Sequence, residues 1–351
     1  MKPRVSDSGR VTEVFVKKSI GVLACVAAIL GATAVAVIGQ RPEIATYTAK
    51  VGFPPPYWAY PANPPDYVAP ADDGVPRQVP DSKMRFTLTQ IRDLFTPPDW
   101  HPEDHPPMPG IVGKGRRPSV WACGYCHMPS GFGKAENANV TNLPEAYFKQ
   151  QVADFKSGAR RSSRPDILPQ SGMVATILAT TDAETDEAYR YFSQITFVKP
   201  RIRIVETNTV QKTSVQGSWV LAPIEGAGTE PIGQRIIESP EHPARTTLRD
   251  ERGLFVAYVP TGSIKRGEVL VTTGGNGKTV QCTMCHGADL RGLGPIPGIA
   301  GRSAIYTFRQ LYDFKSGARH GAWSAMMTPA VEKLTLDDMI AIAAYSASRM
   351  P

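Results

Sequence analysis

The sequence predicts a mainly α-helical protein: two similar units in tandem, a small β-rich insertion between them, and a proline-rich segment ahead of them. Three observations lead there. Asp154-Phe155-Lys156-Ser157-Gly158-Ala159-Arg160 recurs unchanged at Asp313-Phe314-Lys315-Ser316-Gly317-Ala318-Arg319, an offset of 159 residues. Seven identical residues in one frame indicate a duplicated unit. Apolar residues recur at helical spacing behind capping residues in both copies. Sixteen of the 32 prolines lie between Pro42 and Pro109; a residue with fixed φ and no amide donor keeps that stretch from being mainly helix or sheet.

The elements follow in order. Residues 1–18 hold five basic residues, and Ile20 to Gly39 form an uncharged, mostly apolar run of twenty residues. At about 1.5 Å per residue such a run spans the hydrocarbon core of a bilayer. The basic leader should stay cytoplasmic. Residues 1–40 therefore read as a leader and transmembrane anchor, or as a signal sequence with Ala34-Val35-Ala36 as cleavage site. Either way the rest of the chain is expected in the periplasm, anchored to the inner membrane or soluble. Residues 41–81 read as a proline-rich stalk, with Phe53-Pro54-Pro55-Pro56-Tyr57-Trp58 leading away from the membrane or wrapping a domain.

Residues 82–196 read as the first unit. Its first helix is expected over Thr87–Phe95, with Leu88, Ile91 and Leu94 on one face, and its last helix behind the capping box Thr181-Asp182-Ala183-Glu184. Residues 197–260 read as the β-rich insertion, from the alternation in Arg201-Ile202-Arg203-Ile204-Val205 and the apolar runs Trp219-Val220-Leu221 and Leu254-Phe255-Val256. Residues 261–351 read as the second unit, with helices near Ile264–Thr273 and Ile305–Phe314 and a final helix capped by Thr335, with acidic residues in its first turn. The formal charge is +7, of which residues 1–18 supply +3. The remainder is too dilute to suggest a nucleic-acid partner.

Of five cysteines, Cys25 lies in the apolar run and the others form Cys123-Gly-Tyr-Cys126-His127 and Cys282-Thr-Met-Cys285-His286, again 159 residues apart. C-x-x-C-H is the attachment sequence for c-type haem. Two thiols must reach two vinyl groups along one side of the porphyrin, and the adjacent histidine must turn its imidazole onto the iron. A redox dithiol or half of a zinc site is the alternative for a single copy. Two copies inside a repeat favour two covalently bound haems, with Cys123, Cys126, Cys282 and Cys285 as attachment residues and His127 and His286 as iron ligands.

The repeat also selects a second ligand. Aligning Thr181 with Thr335 places Met173 opposite Met327, each eight residues before its cap, and Gly172 opposite Met326. A lone methionine is usually core filler; a matched pair downstream of two attachment motifs is not. His320 has Arg161 as its counterpart, so it offers no symmetric ligand. His101 and His105 are the remaining competitors at the first haem. Thioether ligation favours the reduced iron and raises the potential.

With these residues in place the chain resembles the class I cytochromes c, and specifically the tandem di-haem cytochromes built from two class I cytochrome c domains. The match is best from Gly262 to Pro351. The resemblance implies crossing first and last helices with Tyr345 at the contact, and a carbonyl of Pro295 or Pro297 that accepts the His286 Nδ1 proton. The first unit departs from the pattern: Glu136 and Ala138 stand where those prolines would be, which leaves the partner of His127 open. The implied function is electron transfer between a redox donor and acceptor rather than catalysis. The rivals are a di-haem peroxidase, a thiosulfate-oxidising enzyme with a cysteine ligand, and an electron-accepting subunit of a membrane dehydrogenase. Lys156, Arg160, Lys315 and Arg319 are candidates to hold haem propionates or steer acidic partners. Replacing Met327 by Ala should abolish the methionine-to-iron charge-transfer band of the second haem, while Met326→Ala should leave it; a visible spectrum of each variant reads this directly.

Overall fold

The computed structural model describes residues 51–351 apart from 216 and 218. The expected anchor, Ile20 to Gly39, lies outside the described residues. Among the described residues no helix is long and apolar enough to cross a membrane.

The C-terminal half is built around two crossing helices, α8 (Ser263–Thr273) and α12 (Leu336–Ala347), with α9 (Thr283–His286), α10 (Ala304–Ser316) and α11 (Thr328–Val331) between them in the chain. The crossing depends on Gly267. A Cβ there would overlap the carbonyl oxygen of Ala341 and press on the Tyr345 side chain, so only glycine lets the two backbones approach this closely. Thr335 caps α12 in a full capping box with Asp338, satisfying amides that the first turn leaves open. Helix α12 is buried from Asp338 to Ala347, as its continuous apolar composition requires.

The N-terminal half carries short α1 (Leu88–Ile91) and α2 (Gly110–Gly113), then α3 (Cys123–His127), α4 (Glu145–Ser157), α5 (Leu168–Ala179) and α6 (Asp182–Phe192). Helices α4 and α10 are both 13 residues long, and each ends on a glycine at φ 84°, Gly158 and Gly317. That left-handed cap is where glycine is favoured. Thr181 and Glu184 form the expected capping box on α6.

The first-helix expectation needs correction. Instead of spanning Thr87–Phe95, α1 is a single turn that Thr87 caps and Arg92 ends. Its Ile91 packs with Val79, Trp100, Phe86 and Leu248, not on the closing helix. The helix stops before Asp93, whose Oδ1 takes the Phe95 amide at 3.0 Å in a competing turn, and Pro97 and Pro98 bar helix beyond Thr96. The face of α6 that a first helix would cover, Ala188, Tyr191 and Phe192, is met by Ile111 and Val112 of α2 together with Val120. Met173 sits on the regular helix α5.

Between the halves lie, among the described residues, seven strands and the short helix α7 (Pro243–Thr247). β1 (Ile202–Thr207), β6 (Ile237–Pro240) and β7 (Phe255–Pro260) form a sheet with β7 central, parallel to β1 and antiparallel to β6. β2 (Thr209–Gln211) pairs with β5 (Thr229–Pro231), and β3 (Thr213–Val215) with β4 (Leu221–Pro223). The sheet is tied to the C-terminal half. Strand β7 runs through Thr261 and Gly262 into α8, and buried Glu238 of β6 accepts hydrogen bonds from Ser303 Oγ and the Ile305 amide at the start of α10.

The proline-rich segment takes the wrapping alternative. Phe53 and Trp58 pack edge-on and tilted against Tyr312 and Phe308 of α10. Tyr60 donates its hydroxyl hydrogen to Asp313 at 3.0 Å, Tyr312 donates to the Phe53 carbonyl at 2.7 Å, and Arg309 donates to the Ala59 carbonyl at 3.0 Å. Strap, sheet and C-terminal helices share one apolar core, whereas the N-terminal half has a separate, smaller one. Gly267→Ala should cost about 1–3 kcal/mol by overpacking the crossing; a denaturant titration of wild type and variant measures it.

Candidate haem-binding site

Each C-x-x-C-H motif begins a helical turn. In α3 the spacing i, i+3, i+4 brings Cys123, Cys126 and His127 to one face. Around α9, Cys282, Cys285 and His286 do the same, with Cys282 at the N-cap. None of the four thiols is in a disulfide. Burial pushes the Cys123 thiol up to about 12 and the Cys282 thiol up to about 11, and raises Cys126 as well. A redox dithiol needs the opposite shift, so these three thiols do not suit that alternative.

Both histidines are anchored alike. His127 Nδ1 donates to the Ala138 carbonyl at 2.8 Å, and His286 Nδ1 donates to the Pro297 carbonyl at 2.8 Å. The open question at His127 is thus answered by a backbone oxygen, which any residue supplies. With Nδ1 protonated, each ring keeps its lone pair on Nε2, the atom a metal would take. Burial lowers both histidines below the ordinary imidazole value, which keeps them neutral.

A single continuous cavity is lined by Cys123, Cys126, His127 and Met173 on one side and by Cys282, Cys285, His286, Met326 and Met327 on the other. Gly172 lies against the Trp121 ring, where a side chain would clash. Met327 is partly buried against the large core, whereas Met326 is 56% exposed. The competing histidines stay outside the cavity. His320 is exposed and bonds the Gly317 carbonyl, His101 bonds Asp250, and His105 bonds Asp99. Lys156 and Lys315 do not line it either; Lys156 pairs with Asp182, and Lys315 donates to the Leu334 carbonyl.

Between the two motifs the halves meet around an approximate two-fold relation. The Arg161 amide donates to the Ala318 carbonyl and the His320 amide to the Ala159 carbonyl, each at 2.8 Å. Gln151 Oε1 accepts from Arg160 and from Arg319, each at 2.8 Å, and Gln310 Oε1 accepts from Arg319 at 2.8 Å and from Arg160 at 3.3 Å. Arg160 also donates to the Tyr306 hydroxyl at 3.1 Å. Arg302, which the motif reading missed because it lies outside the repeated heptapeptide, donates to the Gly298, Asn139 and Thr141 carbonyls. Arg302 and Arg319 are buried and Arg160 is partly so, and their hydrogen-bond partners are amide, phenol and carbonyl oxygens. Burial, together with the guanidinium of Arg160, pulls Arg319 below an ordinary arginine, and guanidinium stays charged regardless.

Bare Nε2 atoms, thiol pairs free of disulfides at the cavity wall, and a wall where Arg160, Arg161, Arg302, Arg309 and Arg319 outnumber Glu136, Glu184 and Asp313 all fit a porphyrin that is tethered by thioethers and carries its own propionates. Comparison with known proteins agrees. The sequence profile of the cytochrome c family matches residues 264–348. Cytochrome c-554(548) of Halomonas halodenitrificans is 40% identical over 76 residues, 21% of this chain and 92% of that one. The chain belongs to the cytochrome c family. Membership implies covalently bound haem c and electron transfer. The chain is also similar to the thiosulfate dehydrogenase electron acceptor of Stutzerimonas stutzeri, 40% identical over 81 residues but spanning only 36% of that protein. Among solved structures it is similar to thiosulfate dehydrogenase (TsdBA) from Marichromatium purpuratum, with 21% identity, 66% of this chain, 37% of that one and a TM-score of 0.43. It is also similar to cytochrome c4 from Pseudomonas stutzeri, with 20% identity, 65% of this chain, 93% of that one and a TM-score of 0.40.

Because Gln151 serves both arginines, Gln151→Leu should destabilise the protein by about 3 kcal/mol, the worth of one or two hydrogen bonds to charged groups. Gln150→Leu, which loses only a contact to Asp154, should cost less; urea denaturation of both variants makes the comparison.

Proposed function

We propose that the chain is a di-haem electron carrier. One haem is tethered by Cys123 and Cys126 and ligated by His127 and Met173, and the other is tethered by Cys282 and Cys285 and ligated by His286 and Met327. The observation that carries this reading is the single cavity lined by both attachment motifs and both methionines. Haem iron closed by imidazole and thioether supplies one-electron exchange with no open position for a substrate. The chain's own residues would fix each imidazole through a backbone carbonyl, exclude water with apolar walls, and hold propionates with Arg160, Arg302 and Arg319. Continuity between the two sites favours electron passage from one haem to the other.

The partners would be a redox donor and acceptor, and the apolar run at Ile20 to Gly39 favours a membrane-anchored or exported protein working in the periplasm. The similarity to the Stutzerimonas thiosulfate dehydrogenase electron acceptor supports a dehydrogenase among the donors. A peroxidase would need a displaceable iron ligand, and the matched methionines weigh against it.

A pyridine haemochrome assay on the purified protein should give two c-type haems per chain, and the reduced protein should show no spectral change with carbon monoxide. One haem per chain, or rapid carbon monoxide binding at either iron, overturns the reading.

A further inference from the structure

We propose that Asp99, His105 and Glu251 form a binding site for one divalent transition cation, with the donor set of a zinc site, pinning the Pro97–Pro109 loop to the segment before β7. One ligand atom from each of the three residues lies within 4.8 Å of the others. This site goes beyond the haem chemistry and does not depend on it.

The hydrogen bonds around His105 leave a place between Nε2 and Asp99 where either a second ring proton or a bound cation would sit. Its Nδ1 faces the Pro106 carbonyl at 2.8 Å and the Tyr191 hydroxyl at 2.9 Å. That hydroxyl hydrogen is committed to the Pro129 carbonyl at 2.7 Å, so both neighbours of Nδ1 act as acceptors and Nδ1 carries the proton. In the neutral ring Nε2 then holds only a lone pair, and it faces Asp99 Oδ1 at 3.2 Å. Two acceptors at that separation are unfavourable by themselves, but about 3.3 Å is the edge of a tetrahedron with metal bonds of roughly 2.0 Å. A backbone carbonyl on the second ring nitrogen is also how ligating histidines are held in orientation.

Glu251 supplies the second, independent observation. It is 5% exposed, and neither of its carboxylate oxygens accepts a hydrogen bond from another residue. A buried, unpaired carboxylate is costly. The neighbouring cations are engaged elsewhere: Arg245 with Asp250, Arg252 with Glu103 and Asp104, and Arg201 with the backbone carbonyls of Glu251 and Gly253. Burial, with Asp99 and Asp250 adding repulsion, pushes Glu251 up to about 7. One imidazole and two carboxylates form a mixed donor set suited to zinc and its neighbours. Calcium and magnesium prefer more oxygen ligands and no nitrogen.

The test uses the untagged, haem-loaded full chain. After dialysis against a chelator, zinc chloride is titrated calorimetrically and the product is analysed for metals. One zinc per chain is expected, counted separately from haem iron, and binding should weaken at least tenfold in Glu251→Gln and in His105→Gln, with haem absorption unchanged. Zinc should also raise the melting temperature of the wild type. No zinc uptake by the wild type overturns the proposal whether or not the variants fold, and points instead to an imidazolium at His105 facing the carboxylates. Equal uptake by wild type and folded variants overturns it as well, leaving adventitious surface binding.

Discussion

Two guanidinium groups held side by side, Arg319 buried and Arg160 partly so, set the terms for the centre of this molecule. Arg160 and Arg319 repel one another in a medium where charge is poorly screened, and neither can be neutralised by losing a proton. Gln151 and Gln310 each turn one carbonyl oxygen toward both. Amide oxygens temper the repulsion but do not cancel two full charges. The buried carboxylate of Asp313 acts on both and offsets one charge, and the cavity that both haem motifs line runs past these side chains, where a further anion would be favoured. The same constraint explains why the two halves face each other here: the repeated heptapeptide that supplies the arginines also supplies the backbone exchange between Ala159, Arg161, Ala318 and His320.

Away from that centre the halves solve the same problem with different material. The C-terminal half crosses two helices over Gly267 and shares its core with the sheet and the Phe53–Tyr60 strap. The N-terminal half has no such crossing. Ile111 and Val112 cover α6, and the preceding loop is fixed from outside: Trp100 donates to the Leu248 carbonyl at 2.8 Å, His101 meets Asp250 at 3.1 Å, and Arg252 binds Asp104 at 2.6 Å. The strand region thus supports both halves, through Glu238 at α10 and through residues 248–252 at the loop.

What was legible in the sequence follows from how local the cause is. The thiol and imidazole positions are set by a single helical turn, the caps by one side chain and the next three amides, and α4 and α10 by a repeated pattern ending in glycine; all of these were readable. The first helix was misread because Leu88, Ile91 and Leu94 do share a helical face, yet prolines downstream and a distant Leu248 decide where Ile91 goes. Burial of the Phe53–Tyr60 strap was equally hidden. Its prolines report an extended backbone, and only α10, some 250 positions later, decides what that backbone lies against. Arg302 and the Asp99–His105–Glu251 cluster carry no sequence spacing at all, since their partners come from different elements.

The histidine anchor shows why a motif can be incomplete while its chemistry is intact. Pro297 has been replaced by Ala138 in the N-terminal half, yet the distance from Nδ1 to the carbonyl is 2.8 Å in both. A proline there restricts φ and removes a competing amide donor, which makes the loop cheaper to order. It does not supply the acceptor. In the N-terminal half the ordering comes from elsewhere: Gly133 donates to the His127 carbonyl, Val140 to the Gly131 carbonyl, and Arg302 reaches across to the Asn139 and Thr141 carbonyls. A residue from the C-terminal half therefore helps hold the loop that orients the imidazole of the N-terminal half. Among the described residues this dependence runs one way in the hydrogen bonds of the loops: the Pro297 loop is bonded from within its own half by Ile299 and Ala300 to Leu290 and by Arg302 to Gly298. The N-terminal site therefore relies on the C-terminal half for its geometry, and the weaker family signature of its sequence is what that reliance permits.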